Sequence, residues 1–504
     1  MKRAYKFINI ILIALFSALI LARLFYNLGQ FGIMDLDEGK HAAEAYEMFA
    51  RKAWIAHTYS WEIDYMNSKP PLYYWLTNIF FALFGVSFNS FKLPSAIAAV
   101  ITCVMLSIFI YRTNKSRFED ADLSLAAVTL FLGAFLSLDY LYDNHMFRAG
   151  NFDSVYTLFM LAGVLLIIKA RNDNRYLIPM GVLAGLAFLS KGFNATTIVL
   201  SALCCIPFLA KEKRVKNILC AVAAATLVVL PWAALRFRFD GTEFFNAMFF
   251  GEAEDKVIGS TWEYFQWMPT ILVFRLLVYA LVYYIVALLI KLGPGKELLK
   301  AFLSDLKQHA VLWIWFWVPI LFYSWAGACN EWYIYSSCIL AAVLFALYIS
   351  IGIRALASSK VFIRGVASVL AAAFVVAMVT NGLHKLSYYD RAGFGGGPGL
   401  EFWGDLKTIN EKFGDEYRGS YVYIQDIYRL DQNEIRTDMF YDILPYAEFE
   451  CDWHLVKGGI DAWENAEDGI LIVNKDLFDQ YADRLTGHVI MYDNYYLYFL
   501  HDMY

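Results

Sequence analysis

The chain has 504 residues, of which 59% are hydrophobic and 18% are charged. Soluble proteins carry roughly 45–50% apolar and about 25% charged residues, so this composition excludes an ordinary water-soluble protein and indicates a polytopic membrane protein. The net charge is −5, and the last 121 residues hold 23 Asp and Glu against 10 Lys and Arg, a balance that argues against nucleic-acid binding.

Apolar runs long enough to cross a membrane recur along the first three quarters of the chain. They lie near residues 7–28, 91–111, 121–141, 153–168, 176–190, 194–210, 218–235, 267–290, 311–326, 335–353 and 361–383. The additional run 70–88 contains two prolines, and the placement of Lys and Arg leaves it on the outer side as an interfacial or re-entrant helix. We therefore predict eleven crossings, or thirteen if a span is hidden, with the N-terminus inside and the C-terminus outside.

The sequence predicts two domains: a helical membrane domain, 1–383, with a long outer loop, 29–90, and a C-terminal domain, 384–504. The glycine-rich segment Gly393–Gly399 is interpreted as a hinge between them. Alternating apolar residues predict strands at 420–424, 469–473 and 495–500, with a helical stretch at 476–485. The predicted fold class is a polytopic α-helical membrane protein with a C-terminal extracytoplasmic α/β domain.

Three carboxylates lie within four residues directly after the first span, in the segment Met34–His41. Helical spacing would place Asp37, His41 and Glu44 near one face. Carboxylates at a membrane surface need a partner, water or a function. Alternatively, Asp37 and Glu38 stand at the N-terminus of a helix, where their charges would complement the helix dipole. This structural role and a functional role are compatible in the same residues.

Lys69 precedes Pro70 and Pro71, which fix the backbone ahead of the aromatic segment Leu72–Trp75. A lysine held at headgroup depth by a rigid turn can meet a lipid phosphate as a point charge. The alternative is that Lys69 only extends its ammonium group toward water at the membrane surface.

Two further charged segments fall at outer ends of predicted spans. Arg148 and Asp153 belong to the first, and Lys191 lies in the tight turn Ser190–Gly192 of the second. A simple ion pair and a topological anchor are the respective alternatives. The charged loop 252–256 is typical of a solvated surface.

In this order, the segments resemble the GT-C polyprenyl-phosphate-sugar glycosyltransferases, in the branch of the protein O-mannosyltransferases and the aminoarabinose lipid A transferase. The resemblance covers roughly residues 5–350 and is strongest over 35–112. The motifs that carry it there are Asp37-Glu38, Glu44, Lys69-Pro-Pro-Leu-Tyr-Tyr-Trp75, Phe84-Gly85 and Lys92-Leu-Pro-Ser-Ala96.

The resemblance implies roles for individual residues. Asp37 matches the catalytic aspartate with Glu38 beside it, and Asp153 matches a second-loop aspartate. Lys69 matches the lysine near the carrier phosphate. The remaining candidates for substrate binding are Arg148, Lys191 and Tyr73.

Two segments depart from the family pattern. The loop 243–266 lacks the histidine often seen there, with Ser260 and Thr261 in that stretch, so no metal ligands are predicted. A divalent cation stays open as a cofactor. The segment Asn330–Tyr335 keeps its aromatics, but the following span lacks the usual prolines.

The expected function is transfer of a sugar from a polyprenyl-phosphate donor to a lipid, glycan or protein acceptor. Asp37 would act as general base, and a single displacement would invert the anomeric carbon. The expected location is a cell membrane, the inner membrane of a bacterium, with the chemistry outside the cytoplasm. A transporter or flippase of lipid-linked sugars and a non-catalytic scaffold are the alternatives.

Overall fold

The computed structural model is mostly helical and describes residues 2–251, 262–327, 330–357, 361–392, 398–425, 443–485, 487–493 and 496–501. The α-helices of its membrane domain are α1 (Lys2–Phe25), α2 (Leu36–Ala50), α3 (Leu72–Phe84), α4 (Phe88–Phe118), α5 (Ala121–Leu136), α6 (Asp139–Asp143), α7 (Asp153–Ala170), α8 (Leu177–Lys191), α9 (Thr196–Cys204), α10 (Arg214–Asp240), α11 (Glu243–Asn246), α12 (Glu263–Trp267), α13 (Leu272–Leu292), α14 (Lys296–Gln308), α15 (Ala310–Ala326), α16 (Tyr335–Ala355) and α17 (Val361–Ala392).

Eight helical stretches among the described residues are long and apolar enough to cross a membrane. One of them, Asn174–Cys204, reverses direction rather than running straight. The amide of Ala210 donates to the carbonyl of Ala170 at 3.2 Å, and the Asn174 side chain donates to the carbonyl of Glu212 at 2.9 Å. A straight helix of that length would hold its ends about 45 Å apart. Helices α8 and α9 are therefore two antiparallel segments, as predicted for runs 176–190 and 194–210.

Two further apolar helices complete the bundle. Helix α14 meets α15 at an angle of 68°, so α15 alone runs along the bundle. Helix α5 is short, but it packs between α1, α4 and α16. By length and composition, the described ranges thus contain eight helical stretches that could cross a membrane, or nine if α14 and α15 form one span, against the eleven crossings predicted. We call the end where α1 finishes and α2 begins the site end.

Helix α3 corresponds to the predicted non-crossing run 70–88. It has 13 residues, whereas a helical crossing needs about 20. It packs against α2, α4 and α8 at the site end. A short helix in this position closes the outer loop over the ends of the spans without crossing the bundle.

The C-terminal domain is an α/β domain, as predicted. Its elements are α18 (Pro398–Phe413), β3 (Tyr421–Gln425), α19 (Leu444–Cys451), β4 (His454–Val456), α20 (Gly459–Glu464), β5 (Ile470–Asn474), α21 (Phe478–Tyr481), β6 (His488–Tyr492) and β7 (Tyr496–Leu500). The strands form a mixed sheet in the order β4-β3-β5-β7-β6, with β3 parallel to both its neighbours and β7 antiparallel to both of its own. A separate hairpin, β1 (Thr58–Tyr59) with β2 (Glu62–Ile63), lies in the outer loop.

The strands β3, β5 and β7 match the three predicted strands to within one residue. The predicted helical stretch 476–485 is broken into α21 and two 3-10 turns, Lys475–Leu477 and Ala482–Arg484. The predicted domain boundary at 383/384 falls inside α17, which continues to Ala392. The glycine-rich segment interpreted as a hinge lies outside the described residues at positions 393–397.

The C-terminal domain packs against the site end of the bundle. The ring of Phe449 in α19 stacks on Phe88 at the start of α4, with 4.7 Å between centroids. The amide of Ile33 donates to the Tyr446 hydroxyl oxygen at 2.8 Å. Helix α19 also packs on α2. The acidic segment after the first span is therefore held between the membrane helices and the C-terminal domain.

Two carboxyl groups, Glu47 in α2 and Glu448 in α19, are both buried in this interface. They lie close enough for each to shift the pKa of the other. Burial raises the pKa of Glu47 to about 7. Burial and the neighbouring charge of Glu47 raise the pKa of Glu448 well above its usual value. The interface therefore favours at least one neutral carboxyl.

We expect this pair to make the docking of the C-terminal domain sensitive to pH. Because both native pKa values lie above the unfolded value of 4.5, the stabilisation is complete below pH 4.5 and declines as pH rises through about 7. Thermal unfolding of the purified protein between pH 5 and 9 measures this. Glu448→Gln should flatten the alkaline decline, whereas the exposed control Glu467→Gln should keep it. Identical pH dependence of the two variants would contradict the prediction.

Candidate active site

The acidic segment is positioned by the capping of helix α2. Asp35 has an extended backbone, and its side chain accepts a hydrogen bond from the amide of Glu38 at 2.8 Å. This is the usual role of an aspartate at an N-cap. Helix α2 follows with Asp37 and Glu38 in its first turn. The cap therefore fixes three carboxylates at the site end of the bundle.

His145, in the loop between α6 and α7, lies at the centre of these carboxylates. Its Nδ1 is 3.1 Å from Oδ2 of Asp35, and its Nε2 is 3.6 Å from Oδ2 of both Asp37 and Asp153. The Lys191 ammonium group pairs with the other carboxylate oxygen of Asp153. We call these five residues the His145 cluster. It joins residues from α2, α7, α8 and one loop at a single point.

The charges in the His145 cluster reinforce each other. Burial opposes a charge on His145, but the hydrogen bond to Asp35 and the negative charges of Asp153 and Asp35 outweigh it, so the pKa of His145 is raised. Burial likewise opposes the charge of Asp35, but His145 holds the pKa of Asp35 below its usual value. The imidazole is also stacked on Trp332, with ring centroids 4.0 Å apart.

The two aspartates near Nε2 of His145 differ in the exposure of their side chains. The side chain of Asp37 is 41% exposed, whereas that of Asp153 is 2% exposed. Asp153 is also paired with Lys191. Asp37 is therefore the carboxylate that an incoming substrate can reach.

Glu38 has a different environment from Asp37. It is fully buried, and its carboxylate accepts hydrogen bonds from the amides of Met34 and Gly150, each at 2.6 Å. It also pairs with Lys92 of α4 at 3.2 Å. These contacts tie α2, α4 and the loop before α7 together. Glu38 is thus placed among backbone amides and Lys92 rather than in the His145 cluster, and its part in catalysis stays a prediction.

Arg148 is likewise used inside the protein. Its guanidinium donates to the carbonyls of Arg23 at 2.6 Å and Tyr26 at 2.9 Å, and it lies over the ring of Tyr389. Carbonyls at a helix C-terminus lack partners within the helix, and a cation satisfies them. Arg148 therefore stabilises the end of α1, and the structure does not bring it to the His145 cluster as a phosphate ligand.

The turn that carries Lys69 is anchored by a buried network. The Asn67 amide donates to Glu44 at 2.6 Å, and His57 Nε2 lies 2.7 Å from the Asn67 carbonyl oxygen. Burial and the negative charge of Asp64 raise the pKa of Glu44 well above its usual value. Glu44 therefore anchors the Asn67 side chain from a buried position. The anchor fixes the backbone two residues before Lys69.

The Lys69 turn and the Lys191 turn touch each other. Gly192 has a φ of +55°, and a Cβ at this position would lie 3.3 Å from Cδ of Pro70. A residue with a side chain would be strained here by its backbone and crowded by the proline. The glycine thus allows the two lysine-bearing turns to pack together at the site end.

His41 lies between the two turns and the His145 cluster. Burial lowers the pKa of His41 well below its usual value, and the positive charges of Lys40, His145 and Lys69 lower it further. His41 is therefore neutral at physiological pH. The basic side chains of Lys40, His145 and Lys69 therefore all lie near enough to His41 to affect its charge.

Tyr73 is not part of this arrangement. It is fully buried, and its hydroxyl bonds the carbonyl of Phe91 at 3.3 Å and the hydroxyl of Ser95 at 3.1 Å. Both partners belong to α4. The Tyr73 side chain thus joins α3 to α4, and its predicted substrate-binding role stays a prediction.

Across the described ranges, no group of three or more His, Cys, Asp or Glu side chains is arranged to hold a metal ion. The charged loop 252–256 and the stretch with Ser260 and Thr261 lie outside those ranges. His145 is the functional candidate that the sequence interpretation missed. The available signal was a histidine, one of eight in the chain, in an outer loop between two predicted spans.

Comparisons with known proteins show what the chain is similar to. Residues 68–235 match a family described as dolichyl-phosphate-mannose-protein mannosyltransferase. The undecaprenyl phosphate-alpha-4-amino-4-deoxy-L-arabinose arabinosyl transferases of Yersinia pestis (strain Pestoides F) and Photorhabdus laumondii are 26% and 25% identical to the chain over 210 residues. The alignment covers 39% of this chain and only 35% of each relative.

Solved structures extend the likeness to the whole chain. The apo structure of ArnT from Cupriavidus metallidurans gives a TM-score of 0.65, and its complex with undecaprenyl phosphate gives 0.63. Each comparison covers 97% of both chains at 16% sequence identity. The chain therefore has the fold of the GT-C membrane glycosyltransferases and resembles their ArnT-like branch.

Proposed function

We propose that the protein is an integral-membrane glycosyltransferase that moves a sugar from a polyprenyl phosphate carrier to an acceptor hydroxyl. The observation that carries this proposal is the His145 cluster, in which the accessible carboxylate of Asp37 lies beside a buried histidine. The turns with Lys69 and Lys191 meet at the same end of the bundle. Together these groups supply a base and positive charge for a phosphate leaving group.

The reaction is a single displacement. Asp37 takes the proton of the acceptor hydroxyl while the hydroxyl oxygen attacks the anomeric carbon of the sugar. The bond between that carbon and the carrier phosphate oxygen breaks, so the configuration inverts. Lys69 and Lys191 neutralise the polyprenyl phosphate as it leaves. His145, whose Nε2 lies 3.6 Å from Asp37, compensates the negative charge of the three aspartates.

The donor, acceptor and membrane are parts of the same proposal. Undecaprenyl phosphate carries the sugar in the names of the relatives, so undecaprenyl-phosphate sugars, including 4-amino-4-deoxy-L-arabinose, are the first donors to test. Acceptors fall into three classes: lipids such as lipid A, glycans and proteins. The site end and the C-terminal domain face outward from a bacterial inner membrane, because the basic loops gather at the opposite end.

A transfer assay with purified protein tests the proposal. Synthetic undecaprenyl-phosphate sugars are incubated with membrane extracts as acceptors, and released undecaprenyl phosphate and labelled product are both measured. We expect equal formation of the two products, with inverted configuration at the anomeric carbon. Movement of intact donor across proteoliposomes without any release of carrier would replace the enzyme with a transporter.

His145 should act as a positioning residue for Asp37. We expect His145→Gln to lower kcat by roughly 10²-fold with little change in the KM for donor. Because the pKa of His145 is raised, the wild-type rate should fall as pH rises through that pKa, and the variant should lack this alkaline limb. The exposed control His488→Gln should retain it. An unchanged pH profile in His145→Gln would contradict the assignment.

A further inference from the structure

A cavity lies at the end of the bundle opposite the site end. It has a volume of about 590 Å³ and is bounded by the ends of α4 and α7 and the start of α15. This volume is within the range of small-molecule sites. Three arginines, Arg112, Arg117 and Arg171, line it. The proposed transfer reaction uses none of them.

The positive charge in this cavity is only partly compensated. Arg117 pairs with Asp305 of α14 and donates to the Gln308 side chain at 3.0 Å. Arg171 donates to the backbone carbonyl of Gln308 at 2.7 Å, which neutralises no charge. Arg112 is exposed and makes no hydrogen bond or ion pair with any residue that the structure describes. Two guanidinium groups therefore lack an acidic partner there.

His309 gives an independent sign of a ligand. It lines the same cavity, is 4% exposed, and its Nδ1 has no hydrogen-bond partner. A buried polar atom without a partner is costly, and such atoms are rare in native proteins. One residue that lines the cavity thus carries a hydrogen-bonding atom that no described residue satisfies. Thr113 and Ser116 add hydroxyl donors to the lining.

The other part of the lining is apolar. Phe109, Ile168 and Leu312 belong to the membrane-spanning parts of α4, α7 and α15. A cavity with cationic groups at the bundle end and apolar side chains toward its interior matches an amphiphile with an anionic headgroup. Basic pockets between transmembrane helices are known to hold such headgroups.

We propose that this cavity binds the phosphate headgroup of an anionic membrane lipid, with Arg112, Arg171 and His309 as its ligands. The bound lipid would bridge α4, α7 and α15 at the end of the bundle away from the site. A free phosphate ion shares the headgroup chemistry, but it would leave the apolar part of the cavity without a partner.

Native mass spectrometry of the purified full-length protein tests this site. The protein is reconstituted with phosphatidylglycerol, cardiolipin or phosphatidylcholine, and the bound lipid is counted after release from the bilayer mimetic. We expect retention of the two anionic lipids over phosphatidylcholine. Arg112→Gln should weaken the retention about tenfold, the loss of roughly one charge-assisted hydrogen bond. Arg112→Gln/Arg171→Gln should abolish it.

Lys216→Gln is the matched control, because Lys216 is an exposed cation in the first turn of α10 at the same end of the bundle. It should leave retention unchanged. Arg112 has no contact with a described residue to lose, so its single variant should unfold at the wild-type temperature. Equal retention by Arg112→Gln and Lys216→Gln would overturn the site. Displacement of lipid by millimolar inorganic phosphate would overturn the lipid assignment in favour of a soluble anion.

Discussion

Asp37→Asn is expected to abolish sugar transfer while leaving the protein folded. Asparagine keeps the shape of the side chain, but it cannot take a proton from the acceptor hydroxyl. General base catalysis contributes about 10²–10⁴-fold to a rate, so kcat should fall by a factor in that range with donor binding retained. The side chain is 41% exposed and only flanks His145 at 3.6 Å, so the loss of charge should cost little stability.

The measurement is turnover of a synthetic undecaprenyl-phosphate sugar by purified variants at matched expression. Glu62→Gln is the control, since Glu62 is an exposed carboxylate in the same outer loop that pairs with Lys457 on the surface. It should work at the wild-type rate. Asp153→Asn provides a contrast, because it removes the buried ion pair with Lys191 and should lower stability as well as rate. Wild-type turnover by Asp37→Asn would remove Asp37 as the base.

The membrane architecture was predictable because hydrophobic length is a local property of the sequence. The two short runs 176–190 and 194–210 were separable because Ser190–Gly192 interrupts them with a cation and a glycine. The structure shows the reversal at Gly192, where φ is +55°. The domain boundary was less predictable. Polarity rises after 383, but a helix such as α17 can continue beyond the membrane into water.

Candidate site residues were only partly separable by sequence. A charged residue at the end of a span looks the same in the sequence whether its side chain faces a substrate or pairs with a partner inside the protein. Asp37, Asp153 and Lys191 come together in the His145 cluster, whereas Glu38 pairs with Lys92 and Arg148 binds the end of α1. The difference depends on which helices become neighbours. No local pattern encodes that choice.

The carboxyl pair between the two domains illustrates the same limit. Glu47 follows His41 and Glu44 at three-residue intervals along α2. The sequence alone therefore assigns it to the same face of the helix. Its partner Glu448 is about 400 residues away in the chain and belongs to another domain. Burial of both is what raises the pKa of Glu47 to about 7. Neither the contact nor the shift follows from the spacing alone.

Lys69→Ala is expected to slow transfer on the order of 10²-fold, because the departing carrier phosphate loses a compensating positive charge where water is scarce. The Pro70–Pro71 turn, packed on Gly192 and anchored through Asn67, should keep its shape without the lysine side chain. Lys69→Arg should recover part of the rate, since the charge remains but the compact ammonium geometry does not. The effect should fall on kcat, because the phosphate charge grows as the bond to the sugar breaks.

The same assay decides between this role and simple anchoring at the membrane surface. Lys52→Gln, an exposed lysine in the same outer loop, is the control and should match the wild type. If Lys69 only reaches toward water, the Ala and Arg variants should both work at nearly the wild-type rate, because α3 keeps its packing on α2 and α4. Equal rates for Ala, Arg and wild type would therefore eliminate Lys69 as a phosphate ligand. The charge for the leaving group would then have to come from Lys191, and Lys191→Ala would have to show the larger loss of kcat.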